Sequence, residues 1–287
     1  MRMETKAKTI AWIVLGVCGM LAVPGIGMAG ESQASGWYVA GGAGVNWISD
    51  MDQAGWNRDT ICYPGDDCGG QDIGGYRWYY DLDADSGSML EVAVGRRFGN
   101  LRVELSANHR ENDIDQKFSD ITYLDGSPVV PRQTSSYSSE VTISIDDLET
   151  STLLLNVYYD FPLVHSRITP YVGAGVGLSY TKLSGVFFRD DFSCTTGCNA
   201  SPAEFYNSFQ DENLSDTVFS RHLYAGADYS LNDRVLLGMK VTYSLVNSMS
   251  DTGRYIDHPV PDLPNHTRIS DMDHWSLTLG LKYLFGH

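Results

Sequence analysis

The feature that most constrains this chain is an alternation of apolar and polar residues that holds for ten or more positions and then recurs. Near the end of the chain, Trp275, Leu277, Leu279, Leu281, Tyr283 and Phe285 share one parity, and Ser276, Thr278, Gly280 and Lys282 take the other. Val235, Leu237, Met239, Val241, Tyr243 and Leu245 alternate in the same way with Gly238, Lys240, Thr242 and Ser244. A helix repeats every 3.6 residues and cannot hold a period of two over eleven positions. The segments with this pattern are 36–48, 87–98, 101–111, 149–161, 168–182, 218–231, 234–246 and 274–285. Each is long enough to cross a bilayer as a tilted strand, for which about 9–11 residues suffice.

The breaks between these segments alternate too. Gly99-Asn100, the stretch from Pro162 to Arg167, and Asn232-Asp233 are short, whereas 49–86, 112–147, 183–217 and 247–273 are long. Short turns at one end and long loops at the other are the layout of an outer-membrane barrel, with the short turns in the periplasm. Aromatic residues stand at the ends of the apolar faces: Trp37 and Trp47, Phe98, Tyr159 and Phe161, Trp275 and Phe285. These are the places where a membrane protein sets its headgroup girdles. The other face is polar and rich in glycine, as in Tyr38, Ala40, Gly42, Gly44 and Asn46, whereas a soluble sandwich would bury an apolar face inside. The predicted fold class is all-β, an eight-stranded antiparallel up-and-down transmembrane β-barrel with four long extracellular loops. A bundle of membrane helices is excluded, because only one segment approaches the roughly 20 uninterrupted apolar residues that each helix needs.

That segment is residues 1–29, which run from a basic start (Arg2, Lys6, Lys8) through apolar residues 10–23 to Gly27 and Ala29. It has the form of a secretory signal peptide cut after Ala29, with Ala34 as a second site and an uncleaved anchor as the alternative. Residues 30–287 then form the barrel domain. Four cysteines remain, Cys62, Cys68, Cys194 and Cys198. In an exported protein an even number favours disulfides, and the spacing suggests Cys62–Cys68 and Cys194–Cys198 among three possible pairings. Zinc is the competing reading, at spacings foreign to fingers and ribbons.

The run Thr278-Leu-Gly280-Leu-Lys-Tyr283-Leu-Phe285 resembles the C-terminal assembly signal read by the outer-membrane insertion machinery. Thr278, Gly280, Tyr283 and Phe285 hold its polar, glycine and closing hydrophobic positions, although Gly286 and His287 follow the last aromatic. With the related runs Tyr38-Val-Ala-Gly-Gly-Ala-Gly-Val45 and Tyr171-Val-Gly-Ala-Gly-Val-Gly-Leu178, the chain resembles the small eight-stranded porin-like family. That family includes opacity proteins, bacterial surface antigens and the OmpA-type transmembrane domain. The resemblance implies a Gram-negative outer-membrane location, contact with outer-membrane lipid, and passage through the insertion machinery. It implies no ligand.

Assigning alternate residues inward places Glu91, Arg97, Arg102, Glu104, Arg110, Asp160, His222, Asp228, Lys240 and Lys282 in the lumen. An interior of eight strands is only wide enough for side chains to fill. These nearly balanced charges are expected to pair as a closed plug, since an unpaired buried charge costs several kcal/mol. A narrow or gated channel is the alternative. A lipid-modifying enzyme would need serine, histidine and an acid together at the outer rim on the lipid face. His165 and Ser166 fall in a short turn, His109 shares parity with Glu111 but not with Ser106, and His222 with Ser220 is the best pair. The expectation is no enzyme and no cofactor.

The formal charge of −16 argues against nucleic acid as a partner, because phosphates need the opposite sign. The four long connections alone hold 27 acidic and seven basic residues, so the acidity belongs to them rather than to the barrel. Divalent cations are one reading of Asp81, Asp83 and Asp85 and of the doublets Asp66-Asp67, Asp146-Asp147 and Asp190-Asp191. Solvated surface charge is the plainer one. The same connections carry Trp56, Tyr63, Tyr76, Trp78, Phe187, Phe188, Phe192 and Tyr206, which suit a protein-binding surface or packing of the loops on one another. The leading expectation is a non-enzymatic barrel whose loops meet an extracellular or envelope protein partner.

Overall fold

The structure is a computed structural model, and it describes residues 36–70, 73–132, 135–163, 166–198 and 202–285. The expected signal peptide, His165 and the last two residues lie outside these. Apart from one 3-10 turn at Ala203–Tyr206, the regular elements are strands. They are β1 (Gly36–Ile48), β2 (Met51–Asn57), β3 (Tyr76–Ala84), β4 (Gly87–Phe98), β5 (Leu101–Tyr123), β6 (Tyr137–Ser144), β7 (Asp147–Asp160), β8 (Ile168–Cys194), β9 (Ser208–Ser230), β10 (Val235–Val246), β11 (Met249–Arg254), β12 (Pro264–Ser270) and β13 (His274–Phe285).

Following hydrogen-bonded neighbours from β1 leads through β4, β5, β7, β8, β9, β10 and β13 and back to β1, every pair antiparallel. The closing ladder runs from Trp37 opposite Phe285 to Ile48 opposite His274. A sheet closed in this way has no free edge. Its lower end has tight turns. Gly99 takes φ 61° between Phe98 and Leu101, which face each other, as a two-residue hairpin requires. Asn232 Oδ1 accepts the backbone N–H of Arg234 and of Val235, both at 2.9 Å, and turns β9 into β10.

Alternate residues of this ring point outward into an apolar band, in which Leu90, Val92, Leu153, Leu155, Leu178, Leu223, Leu279 and Leu281 are 54–64% exposed. Aromatic rings border it. At the lower rim the Arg96 guanidinium lies 5.5 Å from the Trp37 ring and 4.9 Å from Phe98, and at the upper rim Tyr243 and Trp275 are 4.7 Å apart. Ten residues separate Trp37 from Trp47. At about 3.3 Å per residue and a tilt of about 40°, the band is roughly 25 Å tall, which matches the hydrocarbon layer that such barrels cross.

The glycines of the inner face make room for tyrosines of the neighbouring strand. A Cβ built on Gly95 would lie 2.3 Å from Tyr38, one on Gly173 2.3 Å from Tyr158, and one on Gly226 2.5 Å from Tyr171. Small and large residues therefore interlock across adjacent strands, and the polar tips of the tyrosines meet in the centre.

The four long connections are strand over much of their length rather than loop throughout, and here the sequence expectation is corrected. β5, β8 and β9 continue without a break to Tyr123, Cys194 and Ser208, and β2, β3, β6, β11 and β12 prolong β1, β4, β7, β10 and β13 after gaps of two or three residues. The extensions pair in the order β11-β12-β2-β3-β5 on one side and β6-β8-β9 on the other. The alternation persists above the upper aromatic rim with its polarity reversed. In Asp81-Leu82-Asp83 and Asp113-Ile114-Asp115 the charged residues face out and the apolar ones are buried inside. Water replaces lipid as the outer solvent at this height, so burial favours the opposite parity.

The reversal builds an apolar layer across the ring. Met51, Leu82, Ile114, Leu148, Leu183, Leu214, Met249 and Ile269 supply one side chain each from β2, β3, β5, β7, β8, β9, β11 and β12, and none is more than 5% exposed. Each such burial contributes roughly 1.5–3 kcal/mol before entropy is counted.

Candidate functional site

The apolar layer divides the interior into two compartments. In the lower one, Arg102 is 1% exposed, with Nη2 2.8 Å from Asp160 Oδ1 and Nη1 3.2 Å from Asp228 Oδ2. Its guanidinium also lies 4.9 Å and 4.5 Å from the rings of Tyr158 and Tyr171. Lys282 Nζ donates to both oxygens of Asp228, at 2.8 and 2.7 Å, and Arg97 Nε stands 3.6 Å from Asp160. Lys240 pairs separately with Glu91.

Three residues assigned to the charge network fall outside its ion pairs. Glu104 is held by neutral donors, Tyr38 at 2.8 Å, Tyr158 at 3.0 Å and Asn156 at 3.2 Å. Arg110, 4% exposed, has no carboxylate partner among the described residues, because its cross-strand neighbours are Met89 and Thr150. His222 lies between Ser244 at 2.8 Å and Ser220 at 3.2 Å. Glu104, Arg110 and His222 are all buried, but parity carries no information on which layer each occupies or what faces it across the ring.

A pair that sequence neighbours could not reveal lies on the outer face, where His109 Nδ1 is 2.9 Å from Ser151 Oγ. The two are opposed in the β5–β7 register and are 42 positions apart in the chain. Among the described residues no carboxylate bonds to His109. The assembly-signal positions all lie on β13. Thr278 is buried in the interior, Gly280 faces Gly42 of β1, and the rings of Tyr283 and Phe285 meet at 5.0 Å on the lipid-facing side of the lower rim.

The upper compartment is a cavity of about 590 Å³. Tyr80 and Val186, part of the apolar layer, form its floor, and Gln53, Asn57, Gln210 and Asn265 give one wall an amide surface. Trp78, Phe118, Phe187, Phe188, Val141 and Ile143 supply apolar surface. Tyr63 lines it from the turn closed by the Cys62–Cys68 disulfide, with its ring 5.8 Å from Phe192 and 6.2 Å from Tyr206. The second disulfide, Cys194–Cys198, closes a turn at the end of β8.

Three carboxylates border this cavity. Asp59 accepts the Tyr63 hydroxyl at 2.8 Å and stands 3.5 Å from His258 Nε2. Burial raises the Asp66 carboxyl, against the opposing pull of Tyr76 and Arg132. Burial pushes the Asp190 carboxyl up to about 6, a bond to Ser139 opposes this, and the charges of Asp191 and Asp66 reinforce it. Asp190 Oδ1 has no hydrogen-bond partner. The Asp190-Asp191 doublet is split, since Asp190 borders the cavity while Asp191 pairs on the surface with Arg189 at 2.6 Å. Among the described residues no three His, Cys, Asp or Glu side chains converge as a metal site requires.

Among the described residues, the wall around the cavity has one unbridged gap. The β5–β7 ladder ends at Asp113 opposite Asp147, and the Ile114 N–H still reaches Asp146 O at 3.3 Å. Above this point β5 pairs only with β3, and β6 only with β8. Residues 117–121 and 138–142 are consequently exposed on both faces. At the other interruption, between β9 and β11, side chains bridge the strands. Asp251 accepts the Ser215 N–H at 2.7 Å, Asp216 that of Ser250 at 3.0 Å, and Glu212 that of Arg254 at 3.2 Å.

Comparison with known proteins agrees with this architecture. Residues 13–285 match the outer membrane protein beta-barrel domain family. Uncharacterized proteins of Brucella abortus and Brucella suis are 27% identical to the chain over 220 residues, 74% of its length and 69% of theirs. The outer membrane protein OprG of Pseudomonas aeruginosa shares the fold at 16% identity and a TM-score of 0.50, covering 90% of this chain and 99% of its own. Neisserial surface protein A aligns at 13% identity and a TM-score of 0.40, over 88% of this chain and 100% of its own. With a closed antiparallel ring, a band of lipid-matched height and a family match over nearly the whole length, the chain belongs to the outer membrane protein beta-barrel domain family and resides in the bacterial outer membrane.

Proposed function

We propose that this protein is a non-enzymatic, eight-stranded transmembrane barrel that does not conduct, and that its activity resides in the extracellular extension of its strands. The observation that carries the reading is the two-compartment interior. Below, ion pairs and tyrosines fill the ring, and the apolar layer above them is the kind of constriction that excludes water and ions. Above, prolonged strands and two disulfides hold a preformed cavity, which suits binding at the cell surface. A hydrolase is disfavoured because His109 and Ser151 lack a third group to orient the imidazole. Thr278, Gly280, Tyr283 and Phe285 serve recognition by the insertion machinery in this reading.

Planar bilayers holding the purified barrel are expected to stay silent, and an epitope inserted after Gly126 is expected to be reached by antibody on intact cells. Steady single-channel currents would replace the closed barrel with the narrow channel. An epitope hidden until the cells are broken would invert the orientation.

A further inference from the structure

Resting on the reading of the extension as a binding element, we propose that its cavity takes a cationic amphiphile, a single ammonium or amine on a hydrocarbon or aromatic body, admitted sideways between β5 and β6. At about 590 Å³ the cavity lies within the range of small-molecule sites. Its surface has two characters. Around the gap, Phe118, Val141 and Ile143 present apolar side chains, and Trp78 and Phe188 add aromatic faces. An apolar body gains by covering such surface, and a cation gains from aromatic faces around it.

Charge selects the head group. Asp66 has Arg132 near it and Asp59 has His258, but no basic side chain pairs with Asp190 among the described residues, and its Oδ1 lacks a hydrogen-bond donor. A carboxylate in partly dry, apolar surroundings is stabilised by a cation brought to it. The same three acids repel an anionic amphiphile, which makes the site selective as well as attractive. Outside, the excess of acidic residues on the extensions raises the local concentration of cations.

The gap supplies the route. It is the place in the upper wall where two adjacent strands leave their backbones unpaired and unbridged, and its lips are apolar. Phe118 is 49% exposed and Val141 55% exposed, one on each side. From above, Tyr63 stands in the way, with Phe192 stacked on it and Tyr206 tilted beside it. A molecule held at the polar surface of the outer leaflet meets the gap broadside, because β5 and β6 part a few residues above His109, which is level with Tyr180 of the upper aromatic rim.

The test uses the full barrel in lipid nanodiscs and three ligands with one ten-carbon chain: decyltrimethylammonium, decanol and decanoate. Calorimetry at pH 7.5, with empty nanodiscs as the blank, is expected to show saturable one-to-one binding of the ammonium. Its affinity should exceed that of decanol at least tenfold, with decanoate weaker still. Asp190→Asn should weaken the ammonium at least fivefold and leave decanol within twofold; Asp66→Asn serves as the second variant if the first does not fold. Val141→Trp should slow association at least fivefold, read by Trp fluorescence in stopped flow. Equal binding of the three ligands, or discrimination untouched by both acid variants, overturns the cationic site. An unchanged association rate in Val141→Trp overturns the sideways route. Silent bilayers without ligand discrimination would refute this inference alone, whereas currents would refute the closed barrel whatever the ligands do.

Discussion

Replacing Asp228 by asparagine tests whether the lower compartment is held by matched charges. Asp228 is 2% exposed and is shared by two cations, Lys282 at 2.7 Å and Arg102 at 3.2 Å. The group made by Arg97, Arg102, Lys282, Asp160 and Asp228 has three positive and two negative charges. Asp228→Asn leaves three against one and sets an amide beside Lys282, whose ammonium then has no carboxylate within this group. Removing one partner of a buried pair costs about 3–5 kcal/mol, because the remaining charge stays desolvated. Asp228→Asn combined with Lys282→Met restores two against one, and the methionine can fill the space of the lysine stem. The double variant is expected to lose only about 1–2 kcal/mol, so the second substitution recovers at least roughly 1 kcal/mol of what the first one lost. Urea unfolding in lipid vesicles, followed by tryptophan fluorescence and by heat-dependent mobility on gels, measures all three. A single variant that loses under 1 kcal/mol, or a double variant as unstable as the single one, would refute the argument.

Other outcomes follow from the same geometry. Gly173→Ala places a Cβ 2.3 Å from Tyr158 and 2.8 Å from the Val157 carbonyl, so it should cost about 1–3 kcal/mol in the same unfolding assay. Leu183→Ala, in the fully buried apolar layer, should cost about 2–5 kcal/mol. The folded-state Asp190 carboxyl titrates near 6, above its unfolded value of 3.8, so the folded chain binds the proton more strongly. Stability therefore falls as pH rises from about 4 to about 6 and is level above that window. Discounted for partial exposure, the effect is on the order of 1 kcal/mol, and Asp190→Asn should reduce the slope by that amount, as measured by unfolding at pH 4 and pH 8, while Asp66 and Glu212, also raised by burial, keep their share of it. Replacing Cys62 and Cys68 by serine should speed proteolytic cutting of that turn several-fold while the mobility of the folded barrel on gels stays unchanged.

Much of the site was legible residue by residue. Local spacing suggested both disulfides, and parity put Arg102, Asp160, Asp228 and Lys282 on the inner face. Parity could not pair them, because each contact is made across the ring between residues distant in the chain. Arg110 and Glu104 show the consequence, one lacking a carboxylate among the described residues and the other held by tyrosines and an amide. His109 and Ser151 were invisible for the same reason, since only strand register joins them. The apolar layer did have a signal, the charged-apolar-charged triplets around Leu82 and Ile114. In sequence these triplets resemble loop, because they invert the pattern that marks the membrane band.

By itself the sequence determined the ring of strands, their direction and their inner and outer faces, because period two is a local property and lipid selects one face along every strand. It also determined where the acidity lies. Only the tertiary structure decided that the strands continue past the membrane, that an apolar layer seals one compartment from another, and that β5 and β6 part to leave a gap. Those features depend on which solvent surrounds each height of the wall and on which strands meet there, and neither is encoded within any one segment.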